Sequence, residues 1–143
     1  MPPPERCIEL PFMPGLTPDF LQHFQMRYAD GMPPFSGSAV PDFSGYMGFR
    51  TPPQAMSTAA LIALVDTWPP SVLPMLKKPA PASSLTWTME LLDDPRSRPA
   101  DTLWQYRVKT DHSSDGYGQS QATIWDGEGK AVALSRQTFT VFA

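Results

Sequence analysis

The chain has 143 residues, enough for one domain with a real core and too few for two ordinary ones. Eleven Lys and Arg against 14 Asp and Glu give a net charge of -3 with no basic cluster, which argues against a nucleic-acid partner. The single cysteine, Cys7, excludes an internal disulfide, the start "MPPPERCIELP" lacks the pattern of a secretion signal, and the longest apolar run, Ala59 to Val65, falls short of the ~20 residues of a membrane span; a cytoplasmic protein with no membrane partner is expected.

Prolines are concentrated early, with only Pro95 and Pro99 beyond Pro81. Each removes a backbone donor, so residues 1–19 read as a proline-rich arm or linker and residues 20–143 as the folded domain. "FLQHFQMRY", Phe20 to Tyr28, alternates apolar with polar and predicts a strand; "DGMPPFSGSAVPD" is a loop, and "FSGYMGFR" from Phe43 a short second strand. "TPPQAMSTAALIALVDTW" predicts a helix with Thr51 as its cap and prolines in its first turn. That segment is apolar nearly all round, which predicts a helix surrounded by other elements.

"SSLTWTMELL" alternates, with Leu85, Trp87, Met89 and Leu91 on one face and Ser84, Thr86, Thr88 and Glu90 on the other. Three more strands follow, from Thr102, Tyr117 and Ala131, separated by "DHSSDG" and "DGEGK", whose Asp-Gly pairs suit turns between antiparallel strands. One early helix and a late antiparallel meander make an α+β pattern.

Several chemistries lack a signal. Two histidines, His23 and His112, and one cysteine do not make a clustered metal site, and no "HExxH", "GxSxG", "GxGxxG" or "GxxxxGK" occurs. No metal and no cofactor are therefore expected, and both histidines read as solvated surface.

Asp66 is the first candidate site residue. A carboxylate at the negative end of a helix is disfavoured by ~0.3–1 kcal/mol, so its pKa should rise, which suits a general base. It could equally end the helix by bonding a nearby N–H. Gln137 shares its strand parity with Ala133, Phe139 and Val141, so its amide is predicted to face inward and to need partners. Ser84 and Thr86, two apart on a strand, could supply hydroxyls to the same polar pocket or could simply face solvent.

"LVD" at a helix end, "SSLTWTMEL" in the next strand and "LSRQTF" in the last, together with "GYMGFR" and "IWDGEGKAVALS", resemble the second half of the TesB-like acyl-CoA thioesterases. The resemblance runs from Phe43 to the C-terminus and implies a hotdog fold, a curved antiparallel sheet wrapped around one long central helix. It also implies the roles of the site: Asp66 deprotonates a water held by Ser84 and Gln137, with Thr86 as a neighbouring hydroxyl, and the water attacks an acyl-CoA thioester. Thr86 and Trp87 stand where better-known members carry an acidic residue and a histidine. A non-catalytic hotdog module that binds acyl groups or serves in assembly is the alternative, whereas a hydratase would need a histidine near the helix. Full-length members carry two hotdogs, so a homodimer or pairing with a second hotdog domain is expected.

Overall fold

The structure, a computed structural model, describes all 143 residues. In chain order it contains β1 (Ile8–Glu9), β2 (Phe24–Asp30), β3 (Phe43–Phe49), α1 (Thr58–Asp66), β4 (Ala82–Leu91), β5 (Trp104–Ser114), β6 (Tyr117–Trp125) and β7 (Ala131–Val141). The strands form one 7-stranded antiparallel sheet in the order β1-β2-β3-β5-β6-β7-β4. The α+β pattern read from the sequence is thus present, and no helix is long and apolar enough to cross a membrane.

The proline-rich start lies on the sheet rather than apart from it. β1 pairs with β2, the Tyr46 hydroxyl donates to the Pro2 carbonyl at 2.9 Å, and the Arg27 guanidinium donates to the Pro4 carbonyl at 2.9 Å. The predicted strand from Phe20 begins instead at Phe24. Asp19–His23 forms a 3-10 turn in which the Leu21 N–H bonds the Pro18 carbonyl, and that turn consumes the first apolar alternation.

The helix differs in a similar way. Thr51 does not cap it, because the backbone before a proline avoids the helical region, and here two prolines follow in succession. The helix starts after Ser57, whose hydroxyl accepts the Ala60 N–H at 3.0 Å, and it is 9 residues long. Leu61, Leu64 and Val65 enter the core, whereas Ala59, Ile62, Ala63 and Asp66 form an exposed stripe at the i, i+3, i+4, i+7 spacing. The expectation of a helix covered on all sides is therefore corrected: in this chain only one side is covered.

Past the helix, Trp68 stacks on Tyr106 with ring centroids 4.9 Å apart and donates its indole N–H to the Met47 sulfur at 3.1 Å. Gly45 makes room for this packing, since a Cβ there would sit 2.8 Å from the Trp68 ring and 2.0 Å from the Arg27 carbonyl oxygen. The core runs from α1 across Met26, Tyr28, Phe43, Met47, Trp104, Tyr106, Val108, Ala122, Ile124 and Ala133, which defines the helix side of the sheet.

Both Asp-Gly turns occur, the first confined to Asp115 and Gly116 because β5 takes in the rest of "DHSSDG" and runs through Ser114. Asp115 and Gly116 hold φ values of 53° and 80°, as a two-residue hairpin turn requires. Asp126 organises the other, its carboxylate accepting the N–H groups of Glu128 and Lys130 at 3.0 and 2.9 Å. Arg98 bridges Asp126 and Asp93, tying the β4–β5 connection to the β6–β7 turn.

Candidate active site

The pairing of β4 with β7 decides which side chains can meet. Opposed residues of an antiparallel pair share a face. Ser84 stands opposite Phe139, Trp87 opposite Gln137, Met89 opposite Ser135 and Leu91 opposite Ala133, so all eight point to the helix side. A bulge between Ser84 and Thr86 inserts one residue, Leu85, and shifts the alternation. Thr86 consequently opposes Thr138 and faces away from the helix, among the polar residues Thr88, Gln119, Gln121 and Arg136.

That register corrects the simple parity reading. Ser84 and Thr86 do not share a face, and Thr86, paired with Thr138, makes no hydrogen bond to Gln137. Ser84 is: the Gln137 side-chain N–H donates to the Ser84 hydroxyl at 2.5 Å. Gln137 is half-buried rather than fully enclosed, because the helix side of β7 and β4 is open beyond α1. Next to it the Trp87 indole N–H donates to the Ser135 hydroxyl at 2.8 Å, which orients the ring beside the Ser84–Gln137 pair.

Asp66 is the last residue of α1. It does not close the helix; Thr67 does, its N–H and its hydroxyl both donating to the Leu64 carbonyl, the hydroxyl at 2.6 Å. The Asp66 carboxylate makes no hydrogen bond or ion pair, with Ser84, Gln137 or any other group, and although solvent reaches it, partial burial raises its pKa above the ordinary aspartate value. A purely structural reason for an acid at this helix end, a bond to a neighbouring N–H, is thus absent. His23 and His112 are both exposed, and His112 bonds only the Ser114 hydroxyl at 3.0 Å.

One residue of this region escaped the sequence reading. Ser120 on β6 pairs with Gln137 on one side and Thr110 of β5 on the other, so the three lie in a polar row across the helix-side face. Thr110 is bonded to the buried Ser71 hydroxyl at 2.7 Å. The signal for Ser120 was available as parity: it alternates with Ala122 and Ile124, both core residues.

The sequence model of the acyl-CoA thioesterase C-terminal domain matches residues 4–141. No curated protein matches the chain. Among solved structures, a protein of unknown function with a hot dog fold from Alicyclobacillus acidocaldarius is 26% identical, superposes with a TM-score of 0.85, and is covered over 53% of its length by the whole of this chain. Acyl-CoA thioesterase II TesB2 from Mycobacterium marinum is 16% identical over 93% of this chain and 55% of its own, with a TM-score of 0.62. A hypothetical thioesterase from Streptococcus pneumoniae, solved with coenzyme A, is 12% identical over 82% of this chain and 89% of its own, with a TM-score of 0.59. This chain therefore spans about half the length of the first of these relatives. With its single helix, its antiparallel sheet and a family match over nearly all its residues, the chain has the hotdog fold and belongs to the acyl-CoA thioesterase C-terminal domain family.

Proposed function

We propose that the protein hydrolyses acyl-CoA thioesters to the free acid and CoA, with Asp66 as general base. Asp66 takes a proton from a water that Ser84 and Gln137 hold by hydrogen bonds. The water oxygen attacks the thioester carbonyl, the carbon–sulfur bond breaks, and the proton passes from Asp66 to the departing CoA sulfur. The observation that carries this reading is the free Asp66 carboxylate, raised in pKa and with no structural partner, on a chain in which two of the other three expected site residues, Ser84 and Gln137, are bonded to one another. A base of raised pKa is better matched to water activation near neutral pH than an ordinary aspartate.

The site in this proposal is completed by a second hotdog, either another copy of the chain or a separate domain. β4 ends the sheet as a long strand with Leu85 and Leu91 52% and 45% exposed, whereas the opposite end is closed by the two-residue β1. A long apolar edge of this kind favours strand addition, and the exposed stripe Ala59–Ile62–Ala63 on α1 offers apolar surface to the same partner. The free Cys7 accords with a reducing, cytoplasmic setting.

Release of free thiol from a panel of short- to long-chain acyl-CoAs tests the reading. Hydrolysis of at least one substrate well above its spontaneous rate is expected. Binding of acyl-CoA without hydrolysis of any of them would instead favour the non-catalytic module.

A further inference from the structure

Gln137 has more hydrogen-bonding capacity than Ser84 can use. With its N–H bonded to the Ser84 hydroxyl, the side-chain oxygen of Gln137 remains an acceptor, and a primary amide that is held at one end only can rotate. The residue beside it on β6 is Ser120, directly opposed in the ladder, where side chains on one face stand about 4.5–5.5 Å apart at Cβ.

Ser120 is only 5% exposed, yet its hydroxyl makes no hydrogen bond. It is not sealed off either, since the buried polar atoms that lack both partner and opening are the Tyr28 hydroxyl and the Trp104 indole N–H. A hydroxyl in the same file as Ala122 and Ile124 carries a desolvation cost that alanine would avoid, unless it has a polar neighbour to serve. Its neighbours along the row are Gln137 and Thr110, and Thr110 is already engaged with Ser71.

We infer that Ser120 is a positioning residue for Gln137: its hydroxyl donates to the Gln137 side-chain oxygen when substrate and water are bound, fixing the amide so that it holds the attacking water in line. This inference rests on the thioesterase reading above. Ser120 does not touch the reacting atoms and acts only through Gln137.

The test compares steady-state hydrolysis by the wild type, Ser120→Ala, Ser120→Thr and Asp66→Asn, with thermal melting of each. Ser120→Ala is expected to lower kcat about three- to tenfold, the worth of one hydrogen bond, with KM within twofold and Tm not lowered. Ser120→Thr, which keeps the hydroxyl, should recover most of the loss. If Ser120→Ala keeps wild-type kcat while Asp66→Asn is inactive, the positioning role is wrong and the thioesterase reading stands. If Asp66→Asn hydrolyses as fast as the wild type, the Asp66-activated water that Gln137 is said to hold is wrong and the positioning role falls with it; if the wild type does not hydrolyse at all, the thioesterase reading is wrong as well. A loss in Ser120→Ala that tracks a lower Tm and is not recovered by threonine also overturns the role, by making Ser120 structural.

Discussion

At the scale of single residues, Asp66 has a pH signature. As a general base it acts only when deprotonated, so kcat/KM should rise with pH through its pKa and then level off. Because desolvation raises that pKa, the midpoint of the acid limb is expected above the ordinary aspartate value of about 4. The linkage has the opposite sense for stability. A carboxylate whose folded pKa is raised favours the folded state most when protonated, and the benefit is lost as pH rises through the folded pKa. A pH–rate profile checks the first statement; a midpoint at or below the ordinary value would remove Asp66 from the role of base.

At the scale of elements, the bulge in β4 makes a sharp distinction between two neighbouring hydroxyls. Ser84→Ala should lower kcat about tenfold or more, because it removes the partner of Gln137 on the helix side. Thr86→Ala should leave kcat unchanged, because Thr86 faces the other way, opposite Thr138. Steady-state kinetics of the two variants check this, and equal losses would mean that the register of β4 against β7 is different in the working protein.

Element by element, the late strands were legible because their alternation and their Asp-Gly turns agree; β4 lies within one residue of the segment Ser83–Leu92 read from the sequence, whereas β5 runs on through Asp111–Ser114, which the sequence reading placed in the turn. The faces of β4 were not. A bulge adds one residue without any change in composition, so "SSLTWTMEL" looks regular while Ser84 and Thr86 point apart. The start of α1 was misread for a related reason: Pro52 and Pro53 can sit in a first turn, but the restriction each places on the residue before it wins, and Ser57 caps the helix. Asp66 and Gln137 stood out because each is a polar group where its element's pattern predicts an apolar one. Ser120 meets the same criterion, a polar residue in the file of Ala122 and Ile124.

At the scale of the whole molecule, the two ends of the sheet are unequal. β1 is two residues long, a safe edge, whereas β4 leaves a ten-residue edge with apolar side chains beside it. The chain is expected to associate through that edge. Light scattering at micromolar concentration should give the mass of a dimer for the chain alone, and Leu91→Lys, which places a charge on the open helix-side face, should shift it toward monomer with lower activity. A wild-type monomer with full activity would contradict the paired site.

Asp66 as general base requires that an unpartnered carboxylate at the end of α1 activate the water. The most direct measurement is kcat/KM of Asp66→Asn on whichever acyl-CoA the wild type hydrolyses best, alongside its melting temperature. A loss of roughly 10²–10⁴ with no loss of stability is predicted, since Asp66 has no structural bond to break. Activity within a few-fold of the wild type would contradict it.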